Sequence, residues 1–459
     1  MLASLLASAV SVTSTPGALS SLVSDKAVTE LVVSGSIDAR DLAFIADELS
    51  SLSTLNLSSA HIVAYSGTVQ SLGDDTEYAA NELPARVFFG KAYTRVTLPS
   101  SLVCIGDAAL AGCRDMATVN LPSALQRIGN DAFNNSGVTL ASIPASVTQM
   151  GKRAFANCRR MTHAKVYCAT LGEDAFAGNW NLANITLGAG LSVIGSGAFK
   201  GTVATSINVD SGCALSSIGD EAFRNSSMTE FNFGQFAKLK SIGAWAFANT
   251  NLSSVEIPNT VTSIGDGAFF YITPLTEVAL PRTISRVGNF LLAGDNAVVG
   301  DSILMKGHKE VGDYAFYNWD QTERFVVSSS VEQIGERAFA GMTSLKNLYA
   351  YPRAVPQLGE NVWDGVNQSA ATLRVHGSVV DNFSAAAQWM DFGSILPYKL
   401  VTLDLNNDGE VDVADVVALA NFVMGDIPPI FDAESADVNG DGEVDVSDVV
   451  YLANIVMGT

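Results

Sequence analysis

Basic residues are scarce in this chain: 26 Lys and Arg stand against 47 Asp and Glu, and residues 401–459 contain no Lys or Arg at all. Binding to nucleic acid needs clustered basic side chains to meet the phosphates, so that class of partner is excluded. The formal charge of −21 falls to −8 once the thirteen Asp and Glu of residues 401–459 are set aside. The acidity is local. Cysteine is sparse too: Cys104, Cys113, Cys158, Cys168 and Cys213 make an odd number without metal-binding spacing. Four scattered histidines, His61, His163, His308 and His376, offer no zinc cluster. No apolar run reaches the roughly eighteen residues that a membrane-spanning helix needs. G-x-S-x-G, H-E-x-x-H and phosphate-loop motifs are all missing, and the remaining carboxylates are spread too evenly to pick out an acid–base pair. The expectation is a chain that binds and does not catalyse.

What is present is a duplication at the C-terminal end. Asp404-Leu-Asn406-Asn-Asp408-Gly409-Glu410-Val-Asp412-Val-Ala-Asp415 recurs 33 positions later as Asp437-Val-Asn439-Gly-Asp441-Gly442-Glu443-Val-Asp445-Val-Ser-Asp448. Side-chain oxygens fall at loop positions 1, 3, 5, 9 and 12, with glycine at 6 to turn the chain sharply. Ca2+ takes six to eight oxygen ligands, and alternating carboxylate and amide side chains can wrap it in this way. Glu410 and Glu443, at position 7, supply main-chain carbonyls. Two such loops predict two Ca2+ ions. Each is followed by the same apolar stretch, Val416-Val-Ala-Leu-Ala-Asn-Phe-Val-Met-Gly425 and Val449-Val-Tyr-Leu-Ala-Asn-Ile-Val-Met-Gly458, which reads as helix.

Loop followed by helix, duplicated, with Asp at position 12, resembles the dockerin family over residues 402–459. The resemblance implies a small all-α module that plugs into a cohesin on a partner protein. It departs at the partner-choosing positions 10 and 11, which are Val413-Ala414 and Val446-Ser447 in place of a hydroxyl pair.

Between residues 83 and 365 the chain repeats itself. An apolar-Gly pair is followed two residues later by Ala-Phe, as in Ile128-Gly129 with Ala132-Phe133 and Ile218-Gly219 with Ala222-Phe223. Twelve such glycines, Gly106 to Gly359, span 253 residues in eleven steps, a mean of 23. That period predicts a solenoid in the leucine-rich range. One short alternating strand precedes each Ile-Gly turn, and the Ala-Phe pair is expected on a short helical turn with its ring against the next coil. Cys113 and Cys158 share a register two coils apart, roughly 10 Å at about 4.8 Å per coil, too far for a disulfide. The pattern V-x-[LI]-P-x-x-[LV]-x-x-I-G-x-x-A-F is similar to the BspA-like leucine-rich repeats of bacterial surface proteins. That resemblance implies adhesion to a host or bacterial surface protein or glycan.

The predicted organisation is a leucine-rich repeat solenoid of parallel β strands with short helical or irregular segments, followed by the dockerin-like domain with two EF-hand-type loops. Residues 1–14 read as a truncated signal peptide or disordered start, 15–82 as an N-terminal cap, and 83–369 as about 12–13 repeats. Residues 370–399 form a C-terminal cap and short linker, and 400–459 the calcium-binding domain. Among outward strand positions, Ala279, Leu304 and Val326 turn apolar and mark a candidate binding surface. Aromatics at Phe269, Phe270, Tyr271, Tyr317 and Trp319 either stack on sugar or fill coil edges. The functional expectation is an extracellular or cell-surface bacterial binding protein. The alternatives are a non-catalytic subunit of an extracellular polysaccharide-degrading complex and a hydrolase with an unrecognised site.

Overall fold

A computed structural model of the chain describes residues 8–294, 307–397, 403, 405–406, 411–426, 431, 433, 435–439 and 443–457. It divides into two compact units, residues 1–272 and 273–459.

In the first unit the cap comprises β1 (Ala9–Ser14), β2 (Glu30–Ile37), α1 (Ala39–Glu48) and β3 (Thr54–Ile62). Of the expected leader or disordered start of residues 1–14, residues 1–7 lie outside the described residues, and Ala9–Ser14 is ordered as strand β1. Its alternating Val10 and Val12 pair in parallel with Leu31 and Val33's edge of β2, Ala9 opposite Glu30 and Ser14 opposite Gly35. Helix α1 opens on a capping box in which Asp38 accepts from the Arg40 amide at 2.9 Å and Asp41 accepts from the Asp38 amide at 3.0 Å. The second oxygen pair of that box reaches back to the connector after β1, since Asp41 also accepts from the Gly17 and Leu19 amides at 2.8 and 2.9 Å. Reciprocal satisfaction of amide donors is why two acidic side chains can lie buried here.

The coils carry two strand columns, one more than the sequence predicts, the longer one interrupted at the 3-10 turn Phe233–Gln235. The longer column includes Leu140–Ile143, His163–Val166 and Asn184–Leu187, paired in parallel register with Ala141 opposite Ala164 and Ile185. The second column is made by the residues before each glycine, so Val193–Ile194, Ser217–Ile218 and Ser241–Ile242 also pair in parallel. The glycine itself is fixed by close approach. A Cβ on Gly219 would lie 2.6 Å from the Ser196 amide nitrogen and 2.7 Å from the Gly195 carbonyl carbon, both backbone atoms of the preceding coil.

The Ala-Phe pair sits on a hydrogen-bonded turn and not on a helical one. The Phe amides bond across coils, Phe155 to the Ala175 carbonyl and Phe176 to the Ala198 carbonyl at 2.8 Å, while the Ala175 amide donates within its own turn to the Gly172 carbonyl, so no i to i−4 ladder forms. The rings of Phe133, Phe155, Phe176, Phe199, Phe223, Phe247 and Phe269 stack in one column with centroids 4.5 to 5.6 Å apart. Outside this column runs a second ladder, in which the Asn249 amide donates to Asn225 at 2.8 Å and that of Asn157 to Asn134 at 3.2 Å.

The second unit repeats both columns. Its longer strands are β4 (Arg324–Val327), β5 (Asn347–Ala350), β6 (Thr372–Val375) and β7 (Ser394–Pro397), all parallel. The ring column runs Phe316, Phe339, Trp363 and ends where Trp389 and Phe392 meet Trp363 edge-on at 5.4 and 5.3 Å. Two helices follow, α2 (Val413–Met424) and α3 (Val446–Met457). Leu405, Leu419, Ala436 and Leu452 form their buried core, and Phe422 stacks on Phe431 at 4.6 Å. Helix α2 ends on Gly425 at φ 93°, a left-handed cap that lets the Asp426 amide reach the Asn421 carbonyl. No described helix is long and apolar enough to cross a membrane.

Candidate metal centre

The position-12 carboxylates organise the two duplicated loops. Asp415 is fully buried and accepts from the amides of Leu405 (2.6 Å) and Asn406 (3.1 Å) at the start of the loop and of Asp412 (2.8 Å) near its end. Asp448 repeats this arrangement with Asn439 (3.1 Å) and Asp445 (2.8 Å). Each carboxylate thus pulls both ends of its loop onto the first turn of the following helix. Asp412 and Asp445 cap those helices, accepting from the amides of Ala414 (2.6 Å) and Ser447 (2.7 Å). The Ser447 hydroxyl, which sequence reasoning passed over, holds Asp445 at 2.6 Å and receives the Asn439 amide at 2.9 Å.

Asn406, Asp412 and Asp415 of the first loop, and Asp437, Asn439, Glu443, Asp445 and Asp448 of the second, are therefore described. Asp404, Asp408, Glu410 and Asp441 lie outside the described residues. Among the described residues no three carboxylate, His or Cys side chains converge as a metal cluster. The donors fit a hard cation nonetheless. They are all oxygen, three of the carboxylates, Asp415, Asp437 and Asp448, are buried, and no Lys or Arg exists in residues 401–459 to balance them.

The candidate apolar surface fares differently. Ala279 is exposed, Leu304 lies outside the described residues, and Val326 is buried, which corrects its reading as open surface. Register supplies part of the reason: Tyr349 of β5 pairs with Val326 and packs against it. Phe269 and Trp319 are core residues, and the Trp319 indole donates to the Leu292 carbonyl at 2.7 Å. Tyr271 and Tyr317 are exposed. In the first unit Tyr271 stands beside Phe270, which meets Trp245 edge-on at 5.2 Å. A polar cleft of about 270 Å³ lies between the cap loop and the first coils, with Arg127 reaching Asp107 at 3.4 Å across it. The cysteines are free, and burial pushes Cys104 and Cys158 up to about 11 and Cys113 up to about 12, which disfavours the reactive thiolate.

The model of the BspA type leucine-rich repeat region matches residues 81–205, 193–298 and 303–384, most of the chain. The chain belongs to the BspA-type leucine-rich repeat family. The dockerin type I model matches residues 402–457. A leucine-rich repeat protein from Bacteroides ovatus has the same fold, at TM-score 0.54 and 23% identity over 70% of this chain and 87% of that one. The pneumococcal vaccine antigen PcpA aligns at TM-score 0.43 and 17% identity over 71% of this chain and 86% of its own. A leucine rich cell surface protein from Faecalibacterium prausnitzii aligns at 0.33 and 20% over 60% and 84%. No curated protein matches the chain. Both matched families are binding modules without catalytic machinery, typical of extracellular or surface bacterial proteins; type I dockerins bind calcium and imply a cohesin-type protein partner.

Proposed function

We propose that this is a secreted or surface-held bacterial binding protein in which residues 400–459 dock a protein partner when loaded with calcium, while the solenoid of residues 83–369 engages a second target, a surface protein or glycan. The observation that carries the reading is a pair of exposed apolar stripes. Val413, Val417 and Met424 on α2 are matched by Val446, Val450 and Met457 on α3, each more than half exposed. Their spacing is the same on both helices, so the module offers the same surface twice. Exposed apolar area of this kind marks protein contact. Val413 and Val446, at loop position 10, choose a partner by shape and desolvation, where a hydroxyl pair would choose by hydrogen bonding.

Each loop holds one Ca2+ ion: Asp404, Asn406, Asp408, Asp412 and Asp415 with the Glu410 carbonyl in the first, and Asp437, Asn439, Asp441, Asp445 and Asp448 with the Glu443 carbonyl in the second. The ion supplies the positive charge that the segment lacks. On the solenoid, Tyr271 with Phe270 and Trp245 is the exposed aromatic ledge best suited to stack on a sugar or a partner side chain. The dockerin match also favours a narrower setting, a non-catalytic subunit of an extracellular polysaccharide-degrading assembly. Calorimetry on the full chain with Ca2+ and a cohesin domain tests the reading. Two ions bind, cohesin binding is lost with chelator, and V413D with V446D abolishes capture while calcium uptake stays intact. Undiminished capture by that double variant overturns the assigned surface.

A further inference from the structure

The outward strand positions of the two units differ in exposure. In residues 1–272 Ser142 and Lys165, midway along their strands, are open to solvent. In residues 273–459 Val326 and Tyr349 hold the same position, alternating with the inward pairs Phe325 and Val327, Leu348 and Ala350, yet they are only 6% and 4% exposed. Outward side chains of a solenoid sheet are buried only when something lies over the sheet. Arg324 and Arg374 supply part of the cover, with guanidinium carbons 4.6 and 5.9 Å from the Tyr349 ring centre. Just beyond β4, the Ser329 hydroxyl donates to the Glu443 carboxylate at 3.3 Å, across 114 positions of sequence. Glu443 stands at loop position 7, where calcium takes the main-chain carbonyl and not the side chain.

We propose that the second calcium loop docks through its described residue Glu443 on the outer face formed by Arg324, Val326, Ser329, Tyr349 and Arg374. Charge favours it: the loop brings Asp437, Asp441, Glu443, Asp445 and Asp448 without a basic residue, and the face presents two guanidinium groups. The tether favours it as well. Strand β7 of the same sheet ends at Pro397, and Leu403 already packs in the module's core. Six residues at most about 3.6 Å each leave roughly 20 Å of reach, which keeps the loop at high effective concentration over the face. Docking uses the loop and leaves the apolar stripes of α2 and α3 open, so the module is held in one orientation while its partner surface stays free. The inference does not rest on the identity of that partner.

A short bis-maleimide applied to the full chain tests it. Ser329→Cys with Glu443→Cys should cross-link within one chain about tenfold faster than Ser329→Cys with Glu410→Cys, the equivalent position of the first loop. The five native thiols are buried or raised in pKa and stay silent. Arg324→Glu with Arg374→Glu should slow the faster pair several-fold. In the unsubstituted chain, hydroxyl-radical labelling of Tyr349 should match that of buried Tyr93 and fall well below that of exposed Tyr271. Equal cross-linking of the two pairs, cross-linking only between chains, or labelling of Tyr349 at the rate of Tyr271 overturns the proposal.

Discussion

A repeat coil and the calcium module are both too small to fold alone, and they make good the deficit by different means. Each coil gives one ring to a column that is stacked on both sides; Phe223 lies 5.5 Å from Phe199 and 5.1 Å from Phe247, with Phe231 edge-on at 5.5 Å. Neighbouring coils complete its core by packing. The module has a core of four fully buried residues, and its loops carry buried carboxylates that no basic residue balances. Packing holds the first and charge governs the second. The largest test of that contrast is Phe223→Ala, which should cost about 3–5 kcal/mol by removing a ring that contacts three others. Chemical denaturation of the full chain should show the loss in the solenoid transition, with the calcium-dependent transition unmoved.

Asp415→Ala probes the other side. It strips the acceptor from three amides, two of them at the far end of the loop, and each buried amide left unmet costs about 1–3 kcal/mol. The calcium-dependent transition should weaken and stoichiometry fall from about two ions to about one, as each loop has its own ligand set. Removing calcium altogether should unfold residues 401–459 and leave the solenoid signal in place, because a ligand that binds only the folded form stabilises only the part it binds. Loss of the solenoid signal on chelation would erase the comparison. A smaller effect separates packing from conformation: Gly219→Ala should cost about 1–3 kcal/mol as overpacking, since the new methyl meets backbone that cannot rotate away. A thermal melt indistinguishable from wild type would mean that the coils slide apart more easily than their register implies.

The elements that repeat were legible in the sequence, and those made by a single long-range contact were not. The 23-residue period and the inward Ala-Phe ring can be read because each is written several times. The second strand column was hidden because two-residue strands such as Ser217–Ile218 look like the start of a turn. Strand β1 was masked by the apolar residues before it. In the loops, the spacing proposed a ligand set, but it could not show that Asp415 and Asp448 bind the loop ends to the helices. Val326 looked like open surface because nothing near it in sequence announces Tyr349 or the loop that meets Ser329.

Histidine 308 gives the smallest and most specific contrast between the two units, because the buried imidazole belongs to the second alone. Its ring is fully buried and its Nε2 lies 3.1 Å from the Pro281 carbonyl, to which it donates in the neutral form. Burial lowers its pKa from the ordinary 6.5, and the hydrogen bond to Pro281 offsets this only in part. The folded chain therefore refuses a proton that the unfolded chain accepts below about pH 6.5. Its contribution is complete above that pH and is lost as the pH falls toward the lowered folded value. Melting followed from pH 7.5 down to 5 should show a decline in the second unit, and His308→Gln should flatten that decline relative to wild type. The first unit holds no buried histidine, so His308→Gln should leave its transition unmoved; equal slopes in wild type and variant would show that burial does not hold the imidazole neutral and that the coil around Pro281 opens to water.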